Sequence, residues 1–224
     1  MLRRLPLSFF ALALAGCPSS SSGGDAGAPD SSVPTCTVGI LGDPAGAPDF
    51  QITAPGPTAD VVLADGNDVA LALPPQGGRV IFAGVRATNV DGCALQISGA
   101  VRDLSTQQVR VDSRTVNLVR GSDGVWGTSG IPGTPPNSQL ANYSNIPVCP
   151  NEWASSDLFD HTYQLEMTIR DRRGKELTKT VKVIPRCSEP SEAAECACIC
   201  KVGYMLGEPC ALDGGTDADA GGDQ

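Results

Sequence analysis

The stretch 162–170, TYQLEMTIR, decides the fold because every second side chain in it is apolar. Tyr163, Leu165, Met167 and Ile169 would share one face of an extended chain, a pattern typical of a half-buried antiparallel strand. Residues 171–174 (DRRG) then supply a turn, and 176–184 return with Val181 and Val183 on one face. The sequence therefore predicts a β-hairpin.

The same period of two recurs upstream of this hairpin. Residues 93–102 alternate between apolar and polar faces, and the stretches 50–53, 61–73 and 79–90 are short or rich in β-formers. Between two of these segments, Asp91-Gly92 matches a two-residue hairpin turn, since glycine tolerates the positive φ that such turns require. We therefore expect about seven short strands arranged in two sheets.

One segment breaks the alternation. Val109 and Val111 keep one parity, whereas Val116 and Leu118 keep the other. A strand cannot exchange its two faces without an irregularity, so the pattern predicts a turn or bulge near residues 112–114.

The fold class expected from these patterns is all-β, an antiparallel sandwich over residues 36–187, with an eight-strand jelly roll as the alternative. The final hairpin resembles the last two strands of immunoglobulin-like and fibronectin type III-like sandwiches, which implies an architecture and no ligand. The Cys-Trp-Cys pattern of antibody domains is missing, because Trp126, between Cys93 and Cys149, lies in the glycine-rich loop 121–142.

The N-terminus carries a targeting pattern. Arg3 and Arg4 precede the apolar run 5–15, which is too short to span a bilayer and fits a secretory signal. Leu14-Ala15-Gly16-Cys17 resembles the lipobox of bacterial lipoproteins, and this resemblance implies cleavage after residue 16 and acylation of Cys17. Pro18, in place of the aspartate that retains such proteins at the inner membrane, favours the outer membrane. The alternative is an ordinary secretory signal in which Cys17 is incidental.

Composition sets the remaining boundaries. Residues 17–35 and 212–224 are poor in apolar side chains and are predicted to be a disordered tether and a disordered acidic tail. Loss of two arginines with the signal takes the formal net charge from −9 to −11. Such a charge repels phosphate groups, so a nucleic-acid partner is not expected.

Eight cysteines remain when Cys17 is set aside, and an even number in an exported chain indicates disulfides. Within the predicted cysteine-rich segment 188–211, the pattern C-x-C-x-x-G-Y-x₅-C over 198–210 resembles the C-terminal half of an EGF-like module. That resemblance implies a Cys200–Cys210 pair. We also favour Cys93–Cys149, while the other candidates stay open: Cys36, Cys187, Cys196 and Cys198.

The sequence gives little support for catalysis or for a bound cofactor. His161 is the single histidine, which removes the usual zinc sites, and no nucleophile-elbow motif is present. Acidic and aromatic side chains cluster in one loop after Cys149 and are candidates for a carbohydrate or cation site: Glu152, Trp153, Asp157 and Asp160. Packing of that loop by hydrogen bonds is the alternative, and Asp157 with Asp160 is the acid pair that an enzyme would need.

These observations favour a lipid-anchored protein of the cell envelope that acts without catalysis and binds another envelope or extracellular protein or glycan. The membrane would be contacted through the lipid alone. A module that binds carbohydrate or another small ligand through the sandwich loops is the second hypothesis. No metal and no cofactor is predicted.

Overall fold

The computed structural model describes residues 36–131, 134 and 139–210. The predicted signal, tether and acidic tail therefore lie outside the described residues, and so does Cys17. The described residues, all from Cys36 onward, form one compact unit built on two β-sheets. The all-β prediction is confirmed.

The described residues form more strands than the seven that were expected, although several of the additional ones are only two to four residues long. Their bounds are β1 Asp49–Ala54, β2 Val61–Val62, β3 Asn67–Ala70, β4 Arg79–Thr88, β5 Leu95–Arg102, β6 Val109–Val116, β7 Val119–Arg120, β8 Gly127–Thr128, β9 Ser144–Cys149, β10 Tyr163–Arg170 and β11 Glu176–Arg186. A 3₁₀ turn (Leu140–Asn142) precedes β9, and one short helix, α1 (Ala193–Ile199), follows β11.

The first sheet has the order β2-β1-β4-β8-β7, and β9 also pairs with β4. The second sheet has the order β3-β11-β10-β5-β6. Every pairing is antiparallel except that of β3 with β11, which is parallel. The expectation of a purely antiparallel sandwich is therefore wrong at this one edge.

The predicted hairpin of β10 and β11 is present, in one unbroken register. Tyr163 pairs with Val183 and Arg170 with Glu176, and the apolar face of β10 is almost fully buried. The Asp171 carboxylate orders the turn, since it accepts from the backbone N–H groups of Arg173 and Lys175, both at 2.9 Å. Burial alone favours the neutral acid, but hydrogen bonds from the backbone N–H groups of Asp91 and Lys175 and the Arg173 guanidinium outweigh it and lower the pKa of Asp171.

The link between β4 and β5 differs from the sequence prediction. Asp91-Gly92 does not close a hairpin, because β4 belongs to the first sheet and β5 to the second. The positive φ values in this link fall instead on Asn89 (58°) and Ala94 (49°). The connection therefore crosses between sheets, a feature that local turn chemistry does not reveal.

Strand β6 is continuous, so the predicted bulge near residues 112–114 is absent. All eight of its residues pair with β5 in one unbroken register. Val109 and Val111 simply face solvent, with Val111 58% exposed, whereas Val116 faces the core. The apolar residues changed parity because two valines of this edge strand are exposed, and the strand itself does not exchange its faces.

The core lies between the two sheets and continues into the cysteine-rich segment. Phe50, Ile81, Ile97, Leu165 and Met167 are among its fully buried members. Cys196, Ile199, Cys200 and Tyr204 belong to the same cluster. Helix α1 and the residues after it therefore pack on the sandwich core and do not form a separate EGF-like module.

Candidate functional site

The eight cysteines of the described chain are all paired, but not as the sequence was interpreted. The four disulfides are Cys36–Cys93, Cys149–Cys200, Cys187–Cys196 and Cys198–Cys210. Neither favoured pair, Cys93–Cys149 or Cys200–Cys210, is present, so both of those predictions are corrected.

Strand β4 explains why Cys93 and Cys149 cannot meet. Cys149 lies opposite Arg79 at the start of β4, whereas Cys93 follows the end of the same strand. Ten extended residues span about 33 Å, and the Cα atoms of a disulfide lie within about 7 Å of each other. The two cysteines therefore occupy opposite ends of the sandwich.

Helix α1 explains the second correction. Residues at i and i+4 share one face of a helix, so Cys196 and Cys200 both point into the core, with exposures of 2% and 0%. There they meet Cys187 and Cys149. Cys198 lies on a different side of the helix and pairs with Cys210.

The predicted ligand loop after Cys149 is packed as part of the fold. Trp153 is 5% exposed, its indole Nε1 donates to the carbonyl of Val148 at 2.9 Å, and its ring contacts Tyr163. The Asp157 carboxylate accepts from the backbone N–H of Val202 at 2.7 Å. Both side chains therefore hold neighbouring segments together.

The two remaining residues of that loop point elsewhere. The Glu152 side chain is exposed and makes no hydrogen bond or ion pair with another described residue. Asp160 adopts a φ of 61° and accepts from Arg186 Nη1 at the edge of the second sheet. The four predicted residues thus form separate contacts and do not converge on one cleft.

A buried carboxylate that the sequence did not single out fastens this loop to β5. Asp103, 3% exposed, accepts from the backbone N–H groups of Ser155 at 2.5 Å and Ser105 at 2.7 Å, and also from Thr106. Burial alone would raise the pKa of Asp103, but these hydrogen bonds outweigh it and lower the pKa to about 2.

A pocket of about 330 Å³ lies on the outer side of the first sheet and is lined by polar side chains together with Ala59, Val62 and Ile131. At its base Asp60 accepts four hydrogen bonds: from Tyr143 OH to Oδ1, and to Oδ2 from Thr128 Oγ1 at 2.9 Å, Gly130 N at 3.2 Å and Thr53 Oγ1 at 3.4 Å. The Asp60 carboxylate therefore joins β1 and β8 to the chain around the 3₁₀ turn.

The same pocket carries a cation, Arg86, which is the cross-strand partner of Thr128. Arg86, on the outer face of β4, donates to Gln51 Oε1 at 3.4 Å and Asp123 Oδ2 at 3.2 Å. Its guanidinium lies 5.0 Å from the centroid of the Trp126 ring. Backbone N–H groups of Val125 and Trp126 donate to Asp123 and, as the largest cause, lower its pKa.

A second polar surface is the outer face of the β3-β11-β10-β5-β6 sheet. Ser113, Ser98, Thr168 and Thr178 form one row across four strands. Ser113 donates to Ser98 at 2.8 Å, and the hydroxyls of Thr168 and Thr178 are 2.8 Å apart. The row forms part of an open groove of about 380 Å³.

Neither a metal-ligand cluster nor a membrane-spanning helix is present among the described residues. None of their histidine, cysteine, aspartate and glutamate side chains form a group of three or more that could hold a metal ion. No helix of the described chain is long and apolar enough to cross a membrane. His161 is exposed, with Nδ1 3.0 Å from the carbonyl oxygen of Phe159.

Fold and disulfides together define a two-sheet, disulfide-bonded all-β protein. No protein-family model, no curated protein and no solved structure matches this chain. The sequence contained no signal for the Asp60 cluster, because its members lie far apart in the chain: Thr53, Asp60, Thr128, Gly130 and Tyr143. Asp60 itself follows a Pro/Gly-rich stretch (55–58, PGPT) that is typical of an ordinary surface turn.

Proposed function

We propose that this protein is a lipid-anchored interaction module that works outside the cytoplasm without catalysing a reaction. The observation that carries the proposal is the set of four disulfides, which leaves Cys17 as the one cysteine outside them. Disulfides persist in oxidising compartments such as the bacterial periplasm and the cell surface. Cys17 ends the lipobox-like stretch and is the attachment point for the lipid, with the outer membrane as the proposed location.

We further propose that the sandwich is immunoglobulin-like. The order β1-β4-β9 corresponds to strands A, B and E of that fold, and β11-β10-β5-β6 corresponds to G, F, C and C′. At the start of β10, Tyr163 OH donates to the backbone carbonyls of Ser156 and Asp157, both at 3.0 Å. This arrangement matches the tyrosine corner at the E–F turn of immunoglobulin domains.

The disulfides depart from the antibody pattern. None of the four in the described chain joins β4 to β10, the strands that correspond to B and F. Three of them instead attach α1 to its surroundings, and the fourth attaches Cys36 to the link between β4 and β5. The covalent bonds therefore fasten the two ends of the sandwich.

The outer face of the second sheet is the surface that we propose for a macromolecular partner. This face carries the hydroxyl row and also charged side chains on β10 and β11. Arg170 of β10 and Glu176 of β11 are cross-strand partners there. These two charges make no ion pair with any described residue. Unpaired charges on a polar face leave hydrogen-bonding capacity for an envelope protein or glycan.

Labelling with an alkyne analogue of palmitate in a bacterial host tests the anchor. The native chain is expected to take up the label and to sediment with membranes, whereas Cys17→Ser is expected to be unlabelled and soluble. Ser19→Ala, a change of similar size two residues later, serves as the matched control and should behave as the native chain does. An unlabelled native chain, or label retained by Cys17→Ser, would overturn the proposal.

A further inference from the structure

We propose that the pocket above Asp60 binds one ring of a neutral sugar. Its volume of about 330 Å³ lies at the small end of the range of about 300–1,000 Å³ typical of ligand pockets. This site lies on the outer face of the first sheet, away from the loop after Cys149. It also does not depend on the lipid anchor, so either proposal can fail without the other.

The Asp60 carboxylate determines which hydrogen-bonding groups the pocket can offer. A hydroxyl has one proton to donate and two lone pairs to accept. Thr53, Thr128 and Tyr143 all direct their protons to Asp60. Thr53 and Tyr143 are each 1% exposed, so the hydroxyl that a ligand can reach is that of Thr128, which offers only lone pairs beside the Asp60 carboxylate. Burial and the nearby Asp60 carboxylate raise the pKa of Tyr143, which keeps its phenolic proton in place. This side of the pocket therefore requires a ligand that donates.

The Arg86 side of the pocket has the opposite requirement. A guanidinium carries five N–H donors and no acceptor. Within the part of the chain that the structure describes, Arg86 donates to two side chains, Gln51 and Asp123. A ligand at this side of the pocket must accept hydrogen bonds. Because a sugar hydroxyl both donates and accepts, neighbouring hydroxyls on one ring satisfy the two sides together.

Charge excludes the simpler ligands. Asp60 and Asp123 both line the pocket and Arg86 is the one cation among the described lining residues, so the site is net negative. A small anion would be repelled by the two carboxylates, and a simple ammonium group would lie against the guanidinium without satisfying its donors. A neutral polyhydroxylated ring is not repelled by the carboxylates, and its hydroxyl oxygens can accept from the guanidinium.

Nuclear magnetic resonance of the purified full chain, in a detergent without sugar headgroups, tests this proposal. Methyl glycosides of glucose, galactose and mannose and N-acetylglucosamine are titrated while the backbone N–H signals of Thr53, Thr128 and Gly130 are followed. The Gly130 N–H is a direct reporter because it donates to Asp60. At least one neutral sugar is expected to shift these signals saturably, and glucuronate is expected to bind about tenfold more weakly.

The matched variants are Thr128→Val and Thr162→Val. Both remove a threonine hydroxyl, but Thr162 is exposed just before β10 and lies outside this pocket and outside the hydroxyl row of the second sheet. Thr128→Val is expected to weaken sugar binding about tenfold, the effect of one lost hydrogen bond, and Thr162→Val is expected to leave it unchanged. Absence of saturable shifts with every neutral sugar, or tighter binding of glucuronate, overturns the proposal even if Thr128→Val fails to fold.

Discussion

Arg79 and Glu192 connect the first sheet to helix α1 through an ion pair that is buried on one side only. Nη1 of Arg79 donates to Oε2 of Glu192 at 2.5 Å, and Nη2 lies 3.3 Å from Oε2 of Glu195. The Arg79 side chain is fully buried, whereas Glu192 keeps 32% of its side-chain exposure and Glu195 keeps 49%. Desolvation therefore falls mainly on the guanidinium, whose Nε has no partner among the described residues.

This asymmetry predicts that removing the two carboxylates is worse than removing the cation. Glu192→Gln/Glu195→Gln leaves a buried guanidinium without a counter-charge and should lower the free energy of unfolding by about 3 kcal/mol. Arg79→Met fills a similar volume and frees two carboxylates that water can reach, so its loss should be smaller. Urea unfolding of the two variants makes the comparison, and a larger loss for Arg79→Met would contradict it.

Asp103 predicts a specific loss of stability in acid. The pKa of its carboxyl is about 2 in the folded chain and about 3.9 in an unfolded one. The ionised form therefore stabilises the fold by about 2 kcal/mol above pH 4, and this contribution disappears as the pH falls through 2. Asp103→Asn removes it at every pH. Urea unfolding of both proteins should show a difference in stability at pH 6 that vanishes near pH 2.

Glu152→Gln is the control for that experiment because Glu152 lies in the loop that Asp103 fastens, and its side chain is exposed and makes no hydrogen bond or ion pair with another described residue. Its stability should follow that of the native chain from pH 6 to pH 2. A gap between the native chain and Asp103→Asn that stays constant over this range would contradict the assignment to the Asp103 carboxylate.

The disulfide pattern predicts a distinctive tryptic map without reduction. Trypsin cleaves after Arg86, Arg102, Arg120 and Arg170 among other sites, so Cys93 falls in the peptide 87–102 and Cys149 in 121–170. The Cys36–Cys93 bond should join 87–102 to the peptide that ends at Arg79. Mass spectrometry that found 87–102 joined to 121–170 would restore the pairing expected from sequence and contradict the structure.

The sequence predicted the fold wherever the decisive interactions were local. Alternation in 163–169 and a glycine at the end of the next turn were enough to predict the β10–β11 hairpin, because side-chain period and turn chemistry act over a few residues. The same rules failed at Asp91-Gly92. Whether two consecutive strands pair or cross between sheets depends on packing across the whole core, which no local pattern records.

The disulfides and the pocket required distances that sequence does not contain. Cys93 follows the end of β4, and Cys149 on β9 lies opposite its start. This separation is evident only once the pairing of β9 with β4 is known. Asp60 and Tyr143 are 83 residues apart in the chain and meet in one hydrogen bond. In contrast, the composition of the loop after Cys149 predicted a ligand site. Its aromatic side chain and Asp157 instead contribute to the packing of the fold.

Tyr163 provides the last prediction, which tests the immunoglobulin-like interpretation of the E–F turn. Its hydroxyl is the donor for the carbonyls of Ser156 and Asp157, and the residue is 2% exposed. Tyr163→Phe should therefore lower the unfolding free energy by about 1–2 kcal/mol, because the partly buried carbonyl of Asp157 loses its donor and that of Ser156 keeps only Asn151 Nδ2 among the described donors. Tyr204→Phe is the matched control and should cost less than about 1 kcal/mol, since its hydroxyl meets the carbonyl of the exposed Glu208. Equal losses in urea unfolding would show that the Tyr163 hydroxyl has no special role at this corner.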